Sequence, residues 1–325
     1  MELYHPLQIG SLHLEGNILL APMAGYTDRI FRSICLSHGA SLTYTEMVSS
    51  EGVARESENT TSLMTRGTNE KNLAVQIFMA NSNTALRGLD GVLAFNPALI
   101  DINCGCPVPK VIKTGAGSYL LQNPKVIKEI VYALKTELRN RGLNIPVTIK
   151  IRTGWDISSI NYLQTAELAF DAGIDAIALH GRTRSQLYMP LAHWEFIKDL
   201  KNHFPEKIII GSGDLFTAND GKKMLEETGC DGIMFARGAI GNPFVFEQTK
   251  ALLLNQPIRE VSLEEKKEAI MYHLKGLEGF LGENTACREM RKHVCAYLKG
   301  IPGSSKAKPM KRHYNACVIE NSLFF

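Results

Sequence analysis

Short apolar runs rich in Ile, Val and Leu recur along most of this chain, each closed by Gly, Pro, Asn or a charged residue. They are Asn17–Ala21, Leu42–Met47, Leu73–Phe78, Leu99–Asn103, Val147–Ile151, Ala176–His180, Lys207–Gly211 and Gly232–Ala236. Most of the gaps carry a helix-like pattern, as in Pro124–Leu138, Ile160–Ala172 and Ala218–Thr228. Runs that are apolar on both faces and alternate with helices predict a parallel sheet covered on both sides. Eight such units are the count of a (β/α)8 barrel, which is the fold class expected here. A doubly wound open sheet is the rival. It is weakened because Met23-Ala-Gly-Tyr-Thr27, not Gly-x-Gly-x-x-Gly, follows the first run.

The strand rhythm ends near residue 250. Ser262-Leu-Glu-Glu265 reads as a capping box, and the pattern stays helical to Phe280. A second helix is expected from Asn284 to Leu298, stopping at Gly300 with Pro302 beyond. On it Met290, Val294, Tyr297 and Leu298 share one arc, and Arg288, Arg291, Lys292 and Lys299 share the other. Lys306, Lys308, Lys311 and Arg312 follow in a stretch with Gly, Pro and Ser. The expected division is a barrel over residues 1–250 and a small helical domain over 251–325 with one basic face.

Composition changes this picture little. The 325 residues are 45% apolar and 21% charged, enough for a large core, and the net charge of +3 permits an anionic partner without demanding one. The seven scattered cysteines read as reduced thiols rather than a disulfide framework. Cys104 and Cys106 have no second close pair, so a closed zinc site is not expected, nor any other metal. The N-terminal apolar stretch Ile18–Ala24 is short and broken by Pro22, and no run approaches the roughly 20 apolar residues of a membrane span. The protein is expected to be soluble, cytoplasmic and monomeric.

The chemistry concentrates in Asp101-Ile-Asn-Cys-Gly-Cys-Pro107, where a buried strand stops abruptly in a turn with a thiol at its tip. In a (β/α)8 barrel the reactive groups sit at the carboxyl ends of the strands. Those positions hold Pro22, Met23 and Ala24; Glu46; Gln76; Asn103 and Cys106; Lys150 and Arg152; His180 and Arg182; Gly211-Ser-Gly-Asp214; and Ala236-Arg-Gly-Ala239. A Gln, a Lys and a His inside apolar runs each require a partner. Glycines after the last two strands let backbone N–H groups approach an anion, and Arg237 adds a charged fork, so a phosphate is expected there. An amide such as Gln76 can pair the amide-like edge of a flavin. An ammonium such as Lys150 can stabilise the charge that the ring carries when reduced. Cys106 reads as an acid, since a thiol is mostly protonated at neutral pH. Cys104 reads as structural, because the pleat turns it away from the side of Asn103.

These motifs resemble the tRNA-dihydrouridine synthases, flavoenzymes that reduce uracil in folded tRNA. The likeness spans nearly the whole chain. It is carried by Ala21-Pro-Met-Ala-Gly25 with Thr27-Asp28, Asn103-Cys-Gly-Cys-Pro107, Lys150-Ile-Arg152, His180-Gly-Arg-Thr183, Gly211-Ser-Gly-Asp214 and Ala236-Arg-Gly-Ala239 with Gly241-Asn-Pro243. Arg291-Lys-His293 and Tyr297-Leu-Lys-Gly300 look like the bacterial, B-type branch, whose helical domain grips tRNA. The resemblance implies FMN bound in the barrel and electrons from NADPH. It places Pro22, Met23 and Ala24 against the flavin, Gln76, Lys150 and His180 beside it, and Ser212, Gly213, Asp214, Ala236 and Arg237 at its phosphate. Cys106 would be the proton donor. Asn103 and Arg152 would meet the target base, and Arg182, Arg288, Arg291 and Lys292 are further candidates for binding the tRNA substrate. Two motifs depart from the family's usual Gly-Asn-Gly-Asp and Gly-Arg-Gly: Ser212 and Ala236 stand where Asn and Gly are usual. The implied reaction moves a hydride to uracil C6 and a proton from Cys106 to C5. A flavin barrel acting on a free pyrimidine, and an RNA-binding module on an inactive barrel, remain the alternatives.

Overall fold

The computed structural model describes residues 2–299. The chain enters through a hairpin of β1 (Leu7–Ile9) and β2 (Leu12–Leu14). Then come β3 (Ile18–Leu20), β4 (Leu42–Tyr44), β5 (Val48–Ser49), β6 (Leu73–Phe78), β7 (Leu99–Cys104), β8 (Val147–Arg152), β9 (Ala176–His180), β10 (Ile208–Ser212) and β11 (Gly232–Phe235). β3 pairs with both β4 and β11, and β4 with β6, so eight parallel strands close into a barrel. The open-sheet rival is thereby excluded. The run expected at Leu42–Met47 stops at Tyr44; Thr45 Oγ1 accepts from the Gln76 backbone N–H, and β5 resumes the pairing with β6 at Val48.

Side chains alternate along each strand, as the period of two requires. Ile100, Ile102 and Cys104 of β7 pack outward with Ile149 and Ile151 of β8 in the core beneath the helices. Leu99 faces inward, in a cluster with Leu19, Leu42, Ala74, Ile210 and Met234 that the hairpin residues Leu7, Ile9, Leu12 and Leu14 cap from below. The lower barrel is therefore filled by apolar side chains, and the polar residues of the same parity lie above them.

The outer helices include α1 (Arg29–Ser37), α2 (Ser50–Ala54), α3 (Glu58–Thr61), α4 (Ser82–Leu93), α5 (Pro109–Ile112), α6 (Pro124–Asn140), α7 (Tyr162–Asp171), α8 (Glu195–His203), α9 (Ala218–Thr228) and α10 (Val245–Leu253). Two longer helices follow, α11 (Leu263–Leu281) and α12 (Glu283–Tyr297). Ser262 caps α11 as its spacing predicts: its hydroxyl accepts from the Glu265 N–H at 3.2 Å, and the Glu265 carboxylate accepts from the Ser262 N–H at 2.9 Å. Met290, Val294 and Tyr297 of α12 are buried against Ile270, Leu274 and Leu277 of α11 and against Ile30 and Ile34 of α1. Each such side chain contributes roughly 1.5–3 kcal/mol when fully buried. Gly300, Pro302 and the basic run Lys306, Lys308, Lys311 and Arg312 lie outside the described residues.

The seam between α1 and this helical pair is polar at its centre. Asp28 Oδ1 accepts from the Ile30 and Phe31 N–H groups at 2.9 and 3.0 Å, and Oδ2 stands 3.0 Å from His273 Nε2. Burial alone would raise the Asp28 carboxyl, but the two histidines and the N-terminal N–H of Phe31 hold it well below the usual range. Burial and the neighbouring His273, whose ring centroid is 4.4 Å away, push His293 far below 6.5. A depressed folded pKa gives stability that is present above the unfolded value and lost as pH falls through it. Stability is therefore expected to begin falling as pH drops below the ordinary histidine value of 6.5 and to go on falling toward the depressed folded pKa. His293→Gln should flatten that loss by up to about 1.4 kcal/mol per pH unit, read from denaturant midpoints at several pH values.

Candidate active site

Above the apolar floor the inner face of the barrel turns polar. Gln76, Asp101 and Thr148 are lateral neighbours on β6, β7 and β8, and Asn103 and Lys150 form the next pair up. Gln76 Nε2 donates to Asp101 Oδ2 at 2.7 Å, and Thr148 Oγ1 donates to Asp101 Oδ1 at 2.5 Å. Asn103 Nδ2 donates to Gln76 Oε1 at 2.8 Å. Asn103 Oδ1 then accepts from the N–H groups of Gly105 and Cys106 at 3.2 and 2.9 Å, folding the chain back so that the Cys106 side chain faces the cavity.

That cavity is about 580 Å³, within the range of small-molecule and cofactor sites. It gathers Pro22, Met23, Ala24, Gln76, Asn103, Cys106, Lys150, Arg152, His180, Ser212, Gly213, Asp214, Ala236 and Arg237 around one opening at the carboxyl ends of the strands. Burial raises the Cys106 thiol above its ordinary value, against the pull of Arg152 and Lys150, so it is protonated at neutral pH. Burial and the adjacent Arg152 lower Lys150 to about 8. Burial raises Asp101 to about 6. His180 is held neutral by burial and by the surrounding cations. Arg182 Nη1 faces His180 Nε2 at 3.2 Å, so Nε2 is the accepting nitrogen and the proton is on Nδ1. Cys104, by contrast, is fully buried in the outer core.

Arg152 reaches down to this turn. Its Nε donates to the Gly105 carbonyl at 3.0 Å, and Nη1 donates to the Thr183 and Leu187 carbonyls at 2.8 and 3.1 Å. It thus ties the Cys106 turn to the loop after β9 while lining the cavity. Arg182 departs from expectation. Only 1% exposed, it is absent from the cavity wall, and its Nε, Nη1 and Nη2 meet the Pro190 carbonyl, His180 and Asp214. These bonds tie the loop after β9 to Asp214.

At the far end Asp214 accepts from Arg182 Nη2 at 2.6 Å and from Arg237 Nη2 at 3.0 Å. Two guanidiniums against one carboxylate leave that end of the cavity cationic. Arg237 also lies 4.4 Å from the Tyr188 ring centroid and 5.3 Å from that of Phe216, which fixes its plane. A Cβ at Gly238 would lie 2.2 Å from the Leu215 carbonyl oxygen, so the loops after β10 and β11 close on each other only with glycine there. Ser212 keeps its hydroxyl inside the barrel, donating to the Met234 carbonyl at 3.2 Å. The residues fit a ligand with an amide-like ring edge and an anionic tail: amide and ammonium at one end, cationic fork at the other.

Of the expected RNA-contacting residues on α12, Arg288 is exposed and Arg291 and Lys292 are half-buried, so the basic arc is not one free face. Lys292 pairs with Glu289 and stands 5.5 Å from the ring centroid of Tyr26, a cavity-lining residue. Arg288 and Arg291 do not line the cavity. Sequence reasoning passed over Asp101, although an acid two residues before Asn103 in an apolar run must share its inward face. Tyr26 and Tyr188 carried no signal, being loop aromatics.

Residues 19–321 match the family model described as "Dihydrouridine synthase (Dus)". A "Probable tRNA-dihydrouridine synthase" of Treponema pallidum is 45% identical over 94% of this chain and 91% of its own length. A "tRNA-dihydrouridine synthase B" of Pasteurella multocida is 38% identical over 91% and 87%. Among solved structures, a histamine dehydrogenase from Rhizobium sp. 4-9 aligns with 83% of this chain at a TM-score of 0.58 and 14% identity. A 6-hydroxypseudooxynicotine amine oxidase from Pseudomonas geniculata aligns with 82% at 0.61 and 12%. The chain spans about half the length of these two structures (50% and 52%), and at such identities the likeness concerns the barrel fold alone. Among the described residues no helix is long and apolar enough to cross a membrane.

Proposed function

This chain belongs to the dihydrouridine synthase family, and on that premise we propose that it reduces uridines in tRNA to 5,6-dihydrouridine with FMN in its cavity and NADPH as electron donor. In this reading residues 1–250 make up the catalytic region, 251–325 make up the region that holds the RNA, with α11 and α12 in it, and the enzyme acts as a cytoplasmic monomer. Bound FMN supplies the hydride for uracil C6. The chain's own groups do the rest.

Pro22, Met23 and Ala24 offer an apolar wall, and Gln76 and Lys150 an amide and a cation for the polar ring edge. Arg237 and the loops at Gly213 and Gly238 offer the phosphate end. Cys106, protonated because burial raises it, holds the proton for C5. Asn103 and Arg152 flank it and face the base. A uracil inside a folded RNA must leave its stack to reach this depth, at a cost of a few kcal/mol. Backbone contacts to basic residues such as Arg288 and Lys292 offset that cost and weaken with salt.

The observation that carries the reading is one protonated thiol sharing a cavity with Lys150 at one side and Arg237 at the other. The test is direct. The purified protein, supplied with FMN, should be yellow, and with NADPH it should form dihydrouridine in unmodified tRNA. A colourless protein that leaves the tRNA unchanged would refute the proposal, and reduction of free uridine in preference to tRNA would favour a small-molecule reductase.

A further inference from the structure

The hydrogen bonds that lead to Cys106 have a direction. At one end stands the Asp101 carboxylate, which as an anion only accepts; at the other stand the Gly105 and Cys106 backbone N–H groups, which only donate. Between them lie two side-chain amides, whose oxygen and nitrogen ends could be exchanged in isolation. The fixed ends remove that freedom. Asp101 Oδ2 requires the Gln76 Nε2 end at 2.7 Å, which turns Gln76 Oε1 toward Asn103 and requires its Nδ2 end at 2.8 Å. That in turn points Asn103 Oδ1 at the Cys106 N–H, 2.9 Å away. Read from the opposite end, the order is the same. Asp101, Gln76, Asn103 and Cys106 are each at most 8% exposed, so water does not substitute freely for a broken link.

We propose that Asp101 is a positioning residue, which fixes the orientations of Gln76 and Asn103 and through them the turn that presents the Cys106 thiol. Nothing in the proposed chemistry requires Asp101 to touch a ligand, and it is absent from the cavity wall. Thr148, donating to Oδ1 at 2.5 Å, holds the carboxylate in plane for this task. The inference deepens the reading of Cys106 as the acid and rests on it for its meaning in catalysis. Its test needs neither flavin nor RNA, so the two fail separately.

The test is the rate at which iodoacetamide labels Cys106 in the folded, flavin-free protein, with fragmentation mass spectrometry separating Cys106 from Cys104 and from the exposed Cys295. Asp101→Ala leaves Gln76 Nε2 without its acceptor, and Cys106 labelling should rise about tenfold, the size expected from one lost buried hydrogen bond. Asp101→Asn still offers an oxygen to Gln76, with Thr148 turning to accept from the new amide, and should label within about twofold of wild type. Rescue by Asn separates orientation from mere packing, because a cavity effect would not depend on that oxygen. If Asp101→Ala does not fold, Gln76→Met cuts the same chain one link later and must show the same acceleration. Wild-type labelling in the folded Ala or Met variant, or a labelling rate in Asp101→Asn equal to that of Asp101→Ala, would overturn the proposal.

Discussion

Cys106→Ala should keep its flavin and lose about 10²- to 10⁴-fold in turnover of tRNA, the range contributed by a positioned general acid. The side chain is 8% exposed and its pKa is raised by burial, so at neutral pH it carries the proton a carbanionic C5 would take. Removing the sulfur leaves the turn intact, because the turn is held by backbone groups: Cys106 N–H on Asn103 Oδ1, and the Cys106 carbonyl accepting from the Ser118 N–H at 3.1 Å and its hydroxyl at 2.9 Å. Bound flavin, followed by visible absorbance, and its reduction by NADPH should therefore match wild type, while dihydrouridine formation collapses. Cys104→Ala is the control two residues away. Its sulfur packs in the outer core with Ile102 and Ile151, so the substitution should lower stability by about 1 kcal/mol and leave turnover unchanged. Wild-type turnover in Cys106→Ala would remove the thiol from the reaction.

The opposite behaviour expected of two cysteines so close together follows from the amino-acid sequence alone. Strand parity depends only on the period of two, so the inward Asn103 and outward Cys104 were legible from the run Leu99–Asn103. The barrel was legible for a similar reason: eight doubly apolar runs need both faces covered. That Arg182 lies outside the cavity wall could not be read from the sequence, because the bonds to Pro190 and Asp214 that turn it form only in the folded loop. The basic arc of α12 was half right. Helical periodicity separates apolar from charged positions, but it does not reveal that Tyr26 and Glu289 meet Lys292. Asp28 with His273 and His293 was invisible as a unit, since the three lie on three helices' worth of separate sequence and meet only when α11 and α12 dock on α1.

Lys150 should impose the second large effect, and a pH limit with it. Replacement by Met removes the Lys150 ammonium from the cavity wall, and reduction of the bound flavin by NADPH should slow by about 10²- to 10³-fold, as for loss of a preorganised electrostatic donor. The charge is held in a demanding place. Burial and Arg152 lower Lys150 to about 8, while the Asp101 carboxylate and the Cys106 sulfur pull the other way. An amine lowered this far is mostly ammonium at pH 7 and mostly neutral at pH 9. The wild-type reduction rate should therefore fall as pH rises through about 8, well before an exposed lysine near 10.5 would titrate. Asp101 takes up its proton near 6, but at that pH the amine is already an ammonium, so the fall expected from this pair is on the alkaline side alone. Asp101→Asn should draw the alkaline limb to lower pH, because the neutral amide keeps hydrogen bonds to Gln76 and Thr148 but withdraws the negative charge that raises Lys150. A stopped-flow profile that stays level from pH 7 to 9.5 would remove Lys150 as the titrating cation.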